Sequence, residues 1–109
     1  MPIVSLKGKR VLVTGSSRGI GKATALELAE RGAAVVVHGR TATDQLAATF
    51  RPVQAVSPRS IMLTADLSSV KEIDGLFARI ADELGGLDAL VNNAVTQKPG
   101  ALIDLAVEN

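Results

Sequence analysis

Four short apolar runs punctuate the chain: Val11-Leu12-Val13, residues 34–37, Ile61-Met62-Leu63 and residues 87–91. The first three are continuously apolar and the fourth is broken only by Asp88, the pattern of strands buried on both faces. The segments between them carry helical periodicity instead. Strand and helix in strict alternation require parallel crossovers, so the order β-α-β-α-β-α-β predicts an α/β fold with a doubly wound parallel sheet.

The intervening segments carry their own punctuation. Residues 19–31 read as helical, and Gly21, Ala25, Leu28 and the following Gly32 fall on one face, three of the four being Gly or Ala. Such a face can approach a sheet closely. Glu27 and Arg31 form an i, i+4 pair, and Gly32 suits a helix stop. A second helix is expected over residues 43–50, broken by Pro52, with Pro58 marking a further turn. Ser69 and Glu72 have capping-box spacing, followed by Ile73, Phe77, Ile80 and Leu84 at helical intervals and a stop at Gly85-Gly86. Residues 95–109 read as a loop and one short helix. No repeat, linker or low-complexity tract interrupts the chain, so residues 1–109 read as one domain.

Composition removes several function classes. Twelve Lys and Arg against eleven Asp and Glu leave a net charge of +1, which argues against a nucleic-acid face. The chain has no Cys, excluding disulfides and thiolate chemistry, and its single His38 cannot build a multi-histidine metal site. No apolar run reaches the roughly 20 residues of a membrane span, and the N-terminus lacks a signal-peptide pattern. A cytoplasmic location is the default expectation. There is no Tyr, so a tyrosine acid or base is excluded within these 109 residues.

The stretch VTGSSRGIG, residues 13–21, places Gly15, Gly19 and Gly21 between the first strand and the first helix. There backbone N–H groups and the helix dipole point at an anion. Gly15 can make the tight turn, Gly19 clears the approach of a pyrophosphate, and Gly21 lets the helix lie close. Ser16 and Ser17 can donate to phosphate. The competing reading is a glycine-rich turn that binds nothing. At the end of the second strand, where a carboxylate would bind the ribose hydroxyls of NAD, the sequence has Gly39-Arg40. A guanidinium there suits a 2′-phosphate, and Arg18 adds a second charge, so NADP(H) is expected over NAD(H). The plainer alternative is that both arginines are solvated surface charges.

These motifs resemble the short-chain dehydrogenases/reductases. The resemblance lies in Thr14-Gly15-x-x-x-Gly19-Ile20-Gly21, in Asp66-Leu67, and in Asp88-x-Leu90-Val91-Asn92-Asn93-Ala94, with Leu6-x-Gly8-Lys9 at the start. It covers about residues 6–94 and implies a Rossmann-type sheet, here truncated after the fourth strand, as the cofactor-binding half of an NADP(H)-dependent oxidoreductase. By that resemblance Asp66 faces the adenine amino group and Leu67 packs near the ring. Asn92, Asn93 and Ala94 line the cofactor ribose and help fix the central strands, and Asp88 is structural. For both aspartates a local turn is the alternative, preferred for Asp88.

The sequence also departs from the family pattern. Val95 follows Ala94 where the family reads NNAG, Pro52 and Pro58 imply a shortened second helix, and no catalytic Ser or Tyr-x-x-x-Lys is present. The resemblance therefore implies hydride transfer to or from a carbonyl or alcohol in a longer parent, where a small-molecule substrate would bind. No turnover is expected from these residues alone. The alternatives are a non-catalytic dinucleotide-binding module or a fragment without function of its own. Substrate and homo-oligomeric state are not legible.

Overall fold

A computed structural model describes residues 4–93. Within it the elements run β1 (Arg10–Val13), α1 (Gly19–Glu30), β2 (Ala34–Gly39), α2 (Asp44–Val56), β3 (Ile61–Thr64), α3 (Val70–Leu84) and β4 (Ala89–Val91). The four strands form one parallel sheet in the order β3-β2-β1-β4. Val11 pairs in register with Val35 on one side and Ala89 on the other, and Val36 pairs with Ile61. The predicted doubly wound α/β architecture is therefore present. Among the described residues no helix is long and apolar enough to cross a membrane.

The sheet divides the core in two, because alternate side chains leave opposite faces. Leu12, Val36 and Leu63 join Ile73, Leu76, Ile80 and Leu84 of α3 on one face. Val11, Val13, Val35 and Val37 meet Ala25 and Ala29 of α1 and Leu46 and Val53 of α2 on the other. Every residue of β2 is buried, as expected for a β-branched run with a strand on each side and helices on both faces.

The first helix buries Gly21, Ala25 and Ala29, a stripe of small residues. Leu28, expected on that face, is only half-buried at its border, and Gly32 lies past the helix end at φ 103°. The Arg31 Nε–Glu27 Oε2 pair forms at 2.8 Å.

The second helix corrects the expectation. It does not stop before Pro52 but continues to Val56 with that proline inside it. Interior proline forfeits one hydrogen bond and costs about 3 kcal/mol in an unsupported helix. Here Leu46, Thr49 and Val53 are buried at i, i+3 and i+7, so packing on the sheet outweighs the local cost. Thr43 caps its start by accepting from Leu46 N–H at 3.1 Å, and Ser57 closes it, donating its hydroxyl to the Ala33 carbonyl at 2.6 Å.

The third helix realises half of the capping box. Ser69 Oγ accepts from Glu72 N–H at 3.2 Å, but the Glu72 carboxylate accepts from Asp66 N–H at 2.9 Å rather than from Ser69. Ser69 N–H is already taken by the Asp66 carbonyl at 3.0 Å. Leu76, not foreseen, is a buried member of the α3 face, while Phe77 is only half-buried. Gly85 ends the helix at φ 81°, a left-handed cap suited to glycine.

Asp88 is structural, though through a distant partner rather than a local turn. Its Oδ2 accepts from Arg10 N–H at 2.8 Å and from Arg10 Nε at 3.0 Å, tying the start of β4 to the start of β1. Those two bonds hold its carboxyl well below the usual range, at about 2 against an ordinary 3.8. The unfolded chain therefore takes up a proton first as pH falls. The stability contributed by Asp88 is complete above about pH 4 and is lost as pH drops towards 2. Asp88→Asn is expected to lower stability at neutral pH and to flatten the acid slope in that window. Asp66, whose pKa is also lowered, leaves a residual slope. Urea unfolding between pH 2 and 5 checks this, and an unchanged slope would remove Asp88 from the account.

Candidate functional site

Because all four strands run parallel, the loops after β1, β2, β3 and β4 emerge on one edge of the sheet. The β1 loop carries Gly15 to Arg18, the β2 end Arg40, the β3 end Asp66, and the β4 end Asn92 and Asn93. Chain direction across the sheet reverses between β1 and β4, since β2 and β3 build outward on one side and β4 on the other. That reversal is where a crevice for a ligand forms in open α/β sheets.

The glycine turn is held from three sides. On the β4 side, Asn93 Nδ2 donates to the Gly15 carbonyl at 3.2 Å, and Asn93 N–H donates to Thr14 Oγ1 at 2.9 Å. On the β2 side, Gly15 N–H donates to His38 Nδ1 at 3.1 Å and Ser16 N–H to the His38 carbonyl at 2.8 Å. From α2, Thr49 Oγ1 donates to the Ser17 carbonyl at 3.3 Å. Gly15 and Gly19 sit at φ 63° and 61°, a left-handed conformation that favours glycine.

Gly21 is where α1 approaches most closely, against the end of β1 and the end of β4. A Cβ there would overlap the Gly15 carbonyl oxygen and lie 2.6 Å from Asn93 Nδ2. The helix is packed against its own turn and the β4 end.

Of the polar residues named in the turn, Ser16 is corrected. Its side chain is fully buried, accepting from His38 N–H at 2.7 Å and donating to the Val13 carbonyl at 2.9 Å, so its hydroxyl faces inward and not toward an anion. Ser17 is half-buried and Arg18 exposed. Arg18 is the N-cap of α1 and makes no side-chain cap, whereas Thr43 and Ser69 cap the other two helices. The first turn of α1 thus keeps its N–H groups for another acceptor. Ile20, in that turn, is 77% exposed.

Arg40 stands directly beyond β2, with its side chain 79% exposed, and its Nη2 lies 3.5 Å from Asp66 Oδ2. The other Asp66 oxygen accepts from Ser68 Oγ at 2.7 Å and Ser68 N–H at 3.0 Å. Those Ser68 bonds, and then the Arg40 charge, lower the Asp66 pKa and keep it an acceptor. Leu67 is buried in the α3-side core. Asn92 Oδ1 accepts from Thr14 Oγ1 at 3.2 Å, so Asn92 and Asn93 together clasp the end of β1. Ala94 and Val95 lie outside the described residues.

The sequence reading missed His38 and Thr49 as parts of this site. His38 was weighed only as a metal ligand, although its place two residues before Arg40, at the carboxyl end of a fully buried strand, was a usable signal.

Comparisons with known proteins fit this geometry. A family model described as short chain dehydrogenase matches residues 9–109. A hydroxynaphthalene reductase-like protein of Metarhizium robertsii is 41% identical over 93 residues, covering 85% of this chain and 35% of its own length. Glucose 1-dehydrogenase of Gluconobacter oxydans is 43% identical over 103 residues, covering 94% of this chain and 38% of its own. The solved glucose dehydrogenase of Caenorhabditis elegans in its apo form superposes with a TM-score of 0.80 at 31% identity, over 94% of this chain and 48% of that one. The chain thus spans between 35% and 48% of the length of these relatives. With its parallel sheet, glycine turn and matching family model, the chain belongs to the short-chain dehydrogenase family.

Proposed function

We propose that this chain forms the NADP(H)-holding portion of an oxidoreductase that interconverts a carbonyl and an alcohol. The observation that carries it is the uncapped first turn of α1, which follows a glycine turn tied to β2 and β4 and lies on the same carboxyl edge of the sheet as Arg40. The N–H groups of that turn suit a pyrophosphate, and the dipole of α1 adds to the attraction. Arg40 and Arg18 suit the 2′-phosphate, and Asp66, kept ionised, suits the adenine amino group. Ile20 offers an exposed apolar contact, and Asn92 and Asn93 fix the turn from the β4 side. The cofactor, when bound, supplies the hydride chemistry. These residues bind and orient it. The names of the reductase and dehydrogenase relatives support that reaction class.

Calorimetric titration with NADP⁺ and NAD⁺ tests this reading. The expected result is tighter binding of NADP⁺. Arg40→Ala should weaken NADP⁺ by about tenfold or more, the value of one or two charge-assisted hydrogen bonds, and leave NAD⁺ nearly unchanged. Equal affinity for the two dinucleotides, with no effect of Arg40→Ala, would overturn the NADP(H) assignment.

A further inference from the structure

The His38 ring links three strand ends. Nδ1 accepts from Gly15 N–H at 3.1 Å, and Nε2 lies 3.0 Å from the Ala65 carbonyl beyond β3. A carbonyl only accepts and a backbone N–H only donates, so the two partners together fix the neutral tautomer with its proton on Nε2. The His38 backbone carries the same link, its N–H donating to Ser16 Oγ and its carbonyl accepting from Ser16 N–H. The residue is 2% exposed.

We propose that His38 is the positioning residue of the glycine turn, and that protonation of its Nδ1 releases Gly15 and weakens dinucleotide binding in acid. This rests on the reading that the turn holds a dinucleotide. The imidazolium carries a hydrogen on Nδ1, aimed at the hydrogen of Gly15 N–H, so the two groups cannot coexist as they stand. Gly15 also receives Asn93 Nδ2 and packs against Gly21, so its displacement moves the first turn of α1.

Among the described residues no charged side chain pairs with the His38 ring. The turn contributes only the Gly15 N–H to the ring, and its Arg18 is exposed. Beyond β2 and β3, Arg40 and Asp66 pair with each other. On α2, Thr49 is neutral and buried, and Asp44 and Arg51 are exposed. Burial lowers the His38 pKa below its ordinary 6.5, with the Ala65 carbonyl pulling weakly the other way. The turn is therefore set at neutral pH and is released only as pH falls below that lowered value.

Two amide variants separate positioning from mere filling of space. In His38→Asn the amide reaches only as far as Nδ1, so it can accept from Gly15 and cannot titrate. In His38→Gln it reaches Nε2, keeping Ala65 and leaving Gly15 N–H unpaired. The expected result is that H38N binds NADP⁺ nearly as well as wild type at about pH 7.5 and that H38Q binds about tenfold less well. As pH falls below the lowered His38 pKa, the wild type should lose affinity relative to H38N by about tenfold per pH unit. That ratio cancels titration of the 2′-phosphate itself. Equal losses in both variants, or parallel pH profiles for wild type and H38N, would overturn the proposal.

Nitrogen NMR of the wild type decides the matter without any variant, since the chain has a single histidine. An Nε2–H tautomer at neutral pH, with the Gly15 amide shifting as the ring titrates, supports it. An Nδ1–H tautomer or an unresponsive Gly15 amide overturns it. Failure of the wild type to bind either dinucleotide would count against the proposed function, while the NMR titration would still judge His38.

Discussion

Replacing Gly21 by alanine is expected to abolish measurable dinucleotide binding and to destabilise the fold by about 3 kcal/mol. Besides the Asn93 side chain, the added Cβ meets backbone, and backbone is its nearest neighbour. It would overlap the Gly15 carbonyl oxygen and stand 3.0 Å from the Gly15 carbonyl carbon. Gly15 cannot retreat cheaply, because its N–H is bound to His38 and its carbonyl to Asn93. Overpacking usually costs 1–3 kcal/mol, and a rigid neighbour puts this site at about the upper end of that range. Gly19 provides the contrast. Nothing lies within 4 Å of a Cβ there, so alanine meets only the positive φ of 61°, a cost of about 1–2 kcal/mol. Thermal unfolding and NADP⁺ titration of the two variants check the ranking. A Gly21→Ala protein that binds as tightly as Gly19→Ala would show that the turn is not held as described.

The strands and the topology were legible because their signals are local and redundant. A buried parallel strand needs apolar residues on both faces, and three-residue runs such as Val11-Leu12-Val13 state that directly. The glycine turn was legible for the same reason, since its position between strand and helix restricts what it can do. The end of α2 was not. Proline propensity is a local cost, whereas the burial of Leu46, Thr49 and Val53 that overrides it depends on a sheet that the segment itself does not contain.

Within the site, what failed was the direction of side chains. Ser16 and Ser17 are adjacent hydroxyls in sequence, but only the structure shows that Ser16 points into the β2 end, where His38 uses both its hydroxyl and its N–H. The direction of Leu67 was equally illegible, its side chain being drawn into the α3-side core. Asp88 was rightly read as structural, yet its partner lies 78 residues away. No spacing rule reaches that far, because the contact exists only once β4 has paired with β1.

Leu12→Ala is expected to cost about 3 kcal/mol and to lower the unfolding temperature by roughly 12–24 °C. Leu12 is fully buried on β1, an interior strand, paired with Val36 and Leu90 and packed into the α3-side core. Truncation leaves a cavity that the flanking strands cannot close without losing register. A domain of this size commands only about 5–15 kcal/mol in total, so the loss is a large share. Yet Leu12 leaves the sheet on the α3 side, while α1, which carries the first turn of the site, packs on the other face. Dinucleotide binding should therefore survive in the folded fraction. Saturation to about a hundred times Kd should then restore about 2.7 kcal/mol. Gly21→Ala, similar in stability loss, should recover nothing, because the ligand has no intact turn to bind. Melting curves of both variants with and without NADP⁺ distinguish a damaged core from a damaged site. A Leu12→Ala protein that the dinucleotide fails to stabilise would mean that the α3-side core and the glycine turn form one cooperative unit.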